Sequence, residues 1–360
     1  MRLPAWRREP RALGAGTASG LAPRCTALLA MTLALASPLS AGREAASEER
    51  LAVTIAGDKS TTADVAVASA ICRSVAQSGG AACAVRPQAG PRAVVAALRS
   101  GEATLALLAA DLQAAAMAGR GDFAGDGPFA QLRSVVGLYV ETMVVMARAE
   151  TVRSPDELRG LRIAVGPAGG SAHRFAAALA QGFGWTDPAS QLLVSPEAAG
   201  PARWLCSGGA DGIVAAVLHP SQDIAAAVWC AGRILALRGT VAHRLVAGAT
   251  TERSPYVAAT VPSRLYRQRD DASSVGLPTA LVASDAAPAA TVTKVIAAIG
   301  ADLDALRLVH PALAQLDRRI LGQVGMIAPR HEGVSAAPPD ADRAGAEPSA
   351  PAAHRPGWAR

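Results

Sequence analysis

Aromatic residues are scarce in this 360-residue chain, at 3% of the total. Only two lysines occur, Lys59 and Lys294, and no run of Lys and Arg marks a surface for polyanions. The stacking residues and basic tracts of nucleic-acid-binding proteins are therefore missing, and we expect no nucleic-acid partner. Hydrophobic residues make up 51% of the sequence, which is enough to bury the cores of two domains.

The sequence also lacks the short motifs of common catalytic and cofactor sites. The loop Gly166–Ser171 has neither the lysine of a phosphate-binding loop nor the glycine spacing of a dinucleotide fingerprint. No G-x-S-x-G nucleophile motif occurs, and the six histidines show no H-x-x-x-H spacing for a metal. We therefore expect a protein that is not an enzyme and holds no metal or other cofactor.

No apolar run is long enough to span a bilayer comfortably. The longest, Thr26–Ala36, follows five arginines and precedes the small residues of SPLSAG. This order is typical of a secretory signal peptide, so we expect residues 1–42 to be removed and the mature protein to be periplasmic. An uncleaved N-terminal anchor is the alternative. Residues 1–42 carry five arginines and one glutamate, so their removal lowers the net charge by four, from +6 to +2.

Five cysteines occur, and Cys25 lies in the predicted signal peptide. The other four form an even number in an exported protein, which favours disulfides. Pairing of near neighbours closes short loops, so we predict the bonds Cys72–Cys83 and Cys206–Cys230. Four buried free thiols are the alternative. No C-x-x-C spacing occurs, which argues against a zinc or redox site.

Strand patterns alternate with helical patterns along the chain after the signal peptide. This alternation is typical of an α/β protein with parallel or mixed sheets covered by helices on both faces. We predict two sheets in two lobes with a ligand cleft between them. Lobe 1 comprises residues 43–142 and 256–332, and lobe 2 comprises residues 143–255. Residues 333–360, rich in proline, alanine and charge, are predicted to be a disordered tail.

Three local patterns predict further elements. RSVVGLY and MVVMAR predict two strands on either side of Glu141. PAATVTKVIAAIGADLDALRLV predicts one long helix, and PALAQLDRRIL predicts another.

The stretch Leu161–Trp185 places a glycine-rich loop between a strand and a helix that begins near Ser171. Helix N-termini hold anions because their free N–H groups and dipole are positive. Asp111 and Glu141 are further candidates for ligand contact at strand ends. An N-cap for a helix starting at Leu112 is the alternative for Asp111, and a polar residue between two strands is the alternative for Glu141.

Together, the ordered segments from about Leu51 to Glu332 resemble the TAXI-type solute-binding proteins of TRAP transporters. The segments that carry the resemblance are LRSGEATLALLAAD, LRSVVGLYVETMVVMARAE, SPDELRGLRIAVGPAGGS, LCSGGADGIVAAVLHPS, SPYVAATVPSRLY, VGLPTALVAS, HPALAQL and GMIAPRHEG. Several family members carry cysteines at similar positions, which supports the local disulfide pairing.

The resemblance implies a type II periplasmic-binding-protein-like fold. It also implies a receptor that closes on a small carboxylate, such as a glutamate-like amino acid or a dicarboxylate, and delivers it to a TRAP-type membrane permease. We expect a monomer. A ligand-sensing or regulatory domain that is no longer coupled to transport is the alternative.

The loops expected to face the cleft depart from the family more than the scaffold segments do. In AGDKSTTAD, Lys59, Ser60 and Thr61 replace the family's glycines, and Ala63 and Asp64 replace its aromatic residues. We hypothesise that Lys59 adds a positive charge that selects an anionic ligand; a solvated loop lysine is the alternative. Backbone N–H groups of the second glycine loop would bind the ligand carboxylate. The candidate ligand-binding residues are Lys59, Ser60, Thr61, Thr62, Asp111, Tyr139, Glu141, Gly169, Gly170, Ser171 and His219.

Overall fold

The computed structural model describes residues 51–59, 61–78, 81–148, 152–187, 191–194, 200–247, 253–314, 316–317, 321 and 324–335. The predicted signal peptide lies outside these residues, as does the predicted tail from residue 336 onward. The tail was predicted to begin at residue 333, but Glu332–Ser335 forms a helical turn. In the described ranges, no helix has the length and apolar character that crossing a membrane requires.

Strands and helices alternate along the described chain. The strands are β1 (Leu51–Asp58), β2 (Ala81–Gln88), β3 (Leu105–Ala109), β4 (Leu132–Arg148), β5 (Ile163–Ala164), β6 (Leu192–Leu193), β7 (Gly212–Val217), β8 (Gly232–Leu235), β9 (Val257–Val261) and β10 (Ala272–Ser284). The α-helices are α1 (Thr62–Gln77), α2 (Pro91–Arg99), α3 (Ala110–Ala118), α4 (Ser171–Gly182), α5 (Pro201–Ser207), α6 (Gln222–Trp229), α7 (Gly239–Ala247), α8 (Ser263–Tyr266), α9 (Ala289–Ala301), α10 (Leu303–Val309) and α11 (Glu332–Ser335). Short 3₁₀ turns span Gly121–Phe123, Pro155–Leu158 and Pro311–Leu313.

The ten strands of the described chain form one mixed sheet. Their order is β2-β1-β3-β10-β4-β7-β5-β6, with β8 beside β4 and β9 beside β10. β1 runs parallel to β2 and β3, and β5 runs parallel to β6 and β7. β10 and β4 run antiparallel to their neighbours. The protein is therefore an α/β protein with a mixed sheet, as predicted.

Strands β4 and β10 are much longer than a typical strand, at 17 and 13 residues. The prediction of two strands on either side of Glu141 is wrong, because Glu141 lies within β4 and pairs with Leu277 of β10. A polar side chain interrupts an apolar sequence pattern, but the ladder is built from main-chain groups and continues through it. The sequence predicted two separate sheets, but the described strands form one. The reason is that β4 continues through Glu141, pairing with β10 on both sides of this residue and with β7 from Thr142 onward.

Buried side chains form cores on both faces of the sheet. In β1, Ile55 and Ala56 belong to different buried clusters, as expected for side chains that alternate between faces. Val67 and Val295, from α1 and α9, pack in the cluster of Ile55. The other cluster contains Phe175 of α4 together with side chains of α2 and α3. Helices therefore cover both faces, as predicted.

The long helix predicted over residues 288–309 is divided into α9 and α10. Asp302 separates them with a non-helical backbone (φ −108°, ψ 23°), and its carboxylate accepts a 2.6 Å hydrogen bond from the Ser74 hydroxyl of α1. An aspartate that bonds another element competes with helical continuation. Of the helix predicted over PALAQLDRRIL, the structure describes only the 3₁₀ turn Pro311–Leu313, and residues 318–320 lie outside the described residues.

Both predicted disulfides are present. Cys72–Cys83 joins α1 to β2, with Cα atoms 5.0 Å apart. Cys206–Cys230 joins α5 to the end of α6, with Cα atoms 5.2 Å apart. The pairing of near neighbours is thereby confirmed.

The Phe175→Ala substitution tests how α4 is anchored. Phe175 is fully buried and makes an edge-to-face contact with Tyr256 at 5.6 Å between ring centroids. Removal of a buried Phe side chain costs about 3–5 kcal/mol, so we expect that loss in the free energy of unfolding by urea titration. Phe183→Ala, at a partly exposed ring stacked on Trp185, is the control and is expected to cost less than half as much. Equal losses for the two variants would contradict this description of the core.

Candidate functional site

A cleft with a volume of about 1030 Å³ lies at the carboxyl ends of β1, β5 and β7. Ligands in open α/β sheets bind at this end of the strands. A smaller recess of about 40 Å³ shares Asp58, Thr61, Glu141 and residues 169–171 with the cleft. The recess continues inward to Asp64, Tyr139 and Arg174. Side chains that are distant in sequence therefore meet in one place.

The glycine loop before α4 has a backbone that favours glycine. Gly166 and Gly169 have φ values of +72° and +71°, in the left-handed region that other residues avoid. The Gly169 N–H donates to Nδ1 of His173 at 3.3 Å, and the Gly170 N–H donates to the Pro167 carbonyl at 3.1 Å. Two of the three N–H groups proposed for a ligand carboxylate thus have partners in the loop, and ligand binding by these residues stays a prediction.

Glu141 reaches the start of α4 from the middle of β4. Its half-buried carboxylate lies near the Ser171 hydroxyl, at the first residue of that helix. Burial raises the pKa of Glu141 to about 7, although the nearby Ser171 hydroxyl acts in the opposite direction. The nearby charges of Asp64 and Asp111 also raise this pKa, whereas Arg174 lowers it. The positive end of the α4 dipole faces a carboxylate that belongs to the protein itself.

Asp64 is the second carboxylate of the recess. It lies in the first turn of α1, is 9% exposed, and accepts a short hydrogen bond from the Tyr139 hydroxyl. Burial raises the pKa of Asp64 to about 6, against the hydrogen bond from Tyr139 that lowers it. Asp58, at the end of β1, raises it further by charge repulsion. Tyr139 therefore lines the recess, and its hydroxyl bonds Asp64, which was not among the predicted ligand-binding residues; ligand contact by Tyr139 stays a prediction.

Arg174 is the one guanidinium among the described residues that line the cleft and recess. It forms a two-pronged ion pair with Asp111 at 2.6 and 3.1 Å, and it donates to the Gly169 carbonyl at 2.5 Å. Both partners of the ion pair are mostly buried, at 20% and 14% side-chain exposure. Asp111 is not the N-cap of α3, since this helix begins two residues before Leu112, at Ala110, although the Asp111 carboxylate accepts the Leu112 N–H at 2.8 Å. Its carboxylate instead joins α3 to α4 through Arg174.

The loop after β1, residues 59–62, contributes fewer residues to the described lining of the cleft than predicted. The Lys59 side chain is exposed and is not among the residues that line the cleft or the recess. Thr61 lines both, and its hydroxyl donates to the Asp58 carbonyl at 3.1 Å. Ser60 lies outside the described residues, and Thr62 is the first residue of α1. The role of Lys59 in selecting an anion stays a hypothesis.

His219 lies beside the cleft rather than in its described lining, which includes its neighbours Leu218 and Ser221. Its Nδ1 is 2.6 Å from the Tyr266 hydroxyl, which also accepts the Ser221 N–H at 2.8 Å. The direction of the hydrogen bond between Nδ1 and the Tyr266 hydroxyl depends on the tautomer of His219. Burial lowers the pKa of His219, which favours the neutral imidazole. Ligand contact by His219 stays a prediction.

Three residues of the site were not identified from the sequence, namely Asp58, Asp64 and Arg174. Arg174 carried a usable signal, because a cation in the first turn of a helix opposes the dipole unless a carboxylate compensates it. Asp58 follows a buried strand at the end where ligands bind, which is a weaker signal. Asp64 carried no usable signal in the sequence, and only the fold shows that it faces Tyr139.

Carboxylates dominate the charge of the cleft. Five of them line the cleft and recess, namely Asp58, Asp64, Asp122, Glu141 and Asp223. The single guanidinium is paired with Asp111, which is a further carboxylate. Within the described part of the chain, no three His, Cys, Asp or Glu side chains are arranged to hold a metal ion.

Comparisons with known proteins identify the family of this chain. A model of the NMT1-like family matches residues 56–336, which is most of the chain. A search of curated proteins finds no match.

Solved structures similar to this chain include solute-binding and sensor proteins. MatC from Rhodopseudomonas palustris with bound malate is 18% identical, with a TM-score of 0.45 over 73% of this chain and 88% of that one. A TctC solute binding protein from Polaromonas is 16% identical, with a TM-score of 0.45 over 76% and 90%. The periplasmic VFT2 domain of Bordetella pertussis BvgS is 14% identical, with a TM-score of 0.39 over 75% and 89%. Similarity at this level says nothing about a shared ligand.

Glu141→Gln tests the electrostatics of the recess. In the folded protein the pKa of Glu141 is raised from 4.5 to about 7, so the native state holds its proton more tightly than the unfolded state does. The stabilisation from this proton is complete below pH 4.5 and is lost as the pH rises to about 7. The neutral glutamine avoids this loss. We expect the free energy of unfolding of Glu141→Gln to exceed that of the wild type by about 1–3 kcal/mol at pH 8 and by much less at pH 4.

Glu102→Gln is the matched control for this measurement by urea titration. Glu102 is exposed in the turn between α2 and β3, at the opposite end of the strands. It should show the same small effect at both pH values. A difference for Glu141→Gln that does not change between pH 4 and pH 8 would contradict the raised pKa.

Proposed function

The chain belongs to the NMT1-like family, and from this premise we propose that it is a solute-binding receptor outside the cytoplasm. In this proposal it captures a small carboxylate-bearing solute, either a glutamate-like amino acid or a dicarboxylate. It then delivers the solute to a TRAP-type membrane permease. The resemblance of the ordered sequence segments to TAXI-type proteins supports the choice of permease.

One observation carries the proposal, namely the convergence of polar side chains in the cleft at the carboxyl ends of the strands. The volume of about 1030 Å³ is at the upper end of the range for small-ligand sites. Glu141, Ser171 and Tyr139 combine a charged group with hydroxyl groups there. A few polar groups in a concave site fix the orientation of a small ligand.

We also propose the two lobes predicted from the sequence, residues 43–142 with 256–332 and residues 143–255. The lining of the cleft supports this division. Asp58 and Thr61 come from the first segment of lobe 1, whereas Ser171 and Asp223 come from lobe 2. A ligand that contacts all four would hold the lobes together.

The proposal includes that the protein binds and releases its ligand without catalysing a reaction. The Ser171 hydroxyl lies near the Glu141 carboxylate, and among the described residues no hydrogen bond joins it to a histidine. His173, two residues further on, accepts the Gly169 N–H through Nδ1. These contacts favour a site that holds its ligand in place and releases it unchanged.

Thermal unfolding against a panel of amino acids and small dicarboxylates tests the proposal. A ligand at 100 times its dissociation constant adds about 2.7 kcal/mol to stability. For a protein of this size we expect the midpoint to rise by roughly 5–10 °C with at least one member of the panel. Ser171→Ala should reduce the shift. Ser207→Ala, at an exposed serine that bonds the Trp204 carbonyl, is the control and should retain it.

No shift with any member of the panel, on a protein that unfolds cooperatively, would contradict the proposed ligand class.

A further inference from the structure

The charge of the cleft is unusual for a receptor of anions. Of the five carboxylates in its lining, Asp58, Asp64 and Glu141 lie in or at the mouth of the recess. The only guanidinium of the described lining is held by Asp111 through two hydrogen bonds and by the Gly169 carbonyl through a third. The Arg174 guanidinium therefore offers little positive charge to a ligand.

The start of α4 is likewise engaged before any ligand arrives. The Ser171 hydroxyl lies near the Glu141 carboxylate, the Gly169 N–H donates to Nδ1 of His173 in α4, and the Gly170 N–H donates to the Pro167 carbonyl. A ligand carboxylate would have to displace Glu141 or approach it closely. Like charges brought together in a partly desolvated site cost several kcal/mol, so a ligand carboxylate is disfavoured wherever Glu141 is ionised, above its pKa of about 7.

We propose that the solute carries a cationic nitrogen, which binds the Glu141 carboxylate beside Asp64, and that solutes carrying carboxylates alone are excluded. This inference rests on the proposed function, and it narrows the ligand class to amino acids and related amines. Glu141 is then the residue that determines specificity.

The geometry of the recess suits an ammonium group. An ammonium has three donors and no acceptor, and the recess offers carboxylate oxygens of Asp64 and Glu141 from two different elements, α1 and β4. Hydrogen bonds between such charged groups are among the strong ones in proteins. Because no metal-binding group of side chains occurs among the described residues, an organic cation fits this cluster better than a metal ion.

Calorimetric titration with matched pairs of solutes tests the inference. Each pair consists of an amino acid and the acid that lacks only its α-ammonium group, such as glutamate with glutarate and alanine with propionate. We expect at least one amino acid to bind the wild-type protein, and its deaminated partner to bind at least 100-fold more weakly. Glu141→Gln should weaken binding of that amino acid by 10-fold or more. The difference in affinity between the amino acid and its deaminated acid should therefore become smaller.

Glu102→Gln removes the same charge from an exposed turn and should leave both affinities unchanged. Folding of each variant is checked by its unfolding transition. If Glu141→Gln does not fold, Asp64→Asn replaces it, with weaker amino-acid binding expected again.

Two outcomes overturn the inference in different ways. If a deaminated acid binds as tightly as its amino acid, the inference is wrong while the proposed receptor function stands. If neither class binds a folded protein, the proposed function fails together with the inference.

Discussion

The position of the Glu141 carboxylate near the Ser171 hydroxyl is the constraint on which the charge balance of the cleft depends. This position places a charged side chain from the middle of a long strand at the positive end of α4. The helix dipole and the hydroxyl favour the ionised carboxylate, while burial and the neighbouring Asp64 favour the protonated one. These opposing effects leave the pKa of Glu141 close to neutrality.

The scaffold explains why this position is possible. β4 runs through the sheet for 17 residues and pairs with β10, β7 and β8, so Glu141 is held by the main chain on a rigid element. α4 is held from the other side by buried Phe175 and by the ion pair of Arg174 with Asp111. Rigid elements with locked side chains place a binding group more accurately than a loop does. The same ion pair removes the nearest positive charge from the ligand.

Much of the fold was predictable because apolar periodicity and turn residues are local properties of the sequence. The α/β class, most strand and helix positions, the helix start at Ser171 and both disulfides follow from such patterns. The continuity of β4 through Glu141 did not, because a main-chain ladder tolerates a polar side chain that breaks the pattern. Asp302 likewise ended a helix through a contact with Ser74, which is 228 residues away in sequence.

The site was harder to predict than the fold because its charge balance is set by long-range contacts. Glu141, Ser171 and Tyr139 were identified as candidates, but their partners were not. The pairing of Arg174 with Asp111 turns two potential ligand contacts into a structural link. Burial of Asp64 makes an acidic recess where Lys59 alone had suggested a positive one.

The structure of the protein with a bound amino acid from the titration panel is the most direct measurement. We expect the ligand nitrogen within about 3.2 Å of a Glu141 carboxylate oxygen, with the Arg174–Asp111 ion pair intact. A ligand carboxylate at Ser171 with Glu141 turned away, or a ligand bound outside this cleft, would contradict the role assigned to Glu141.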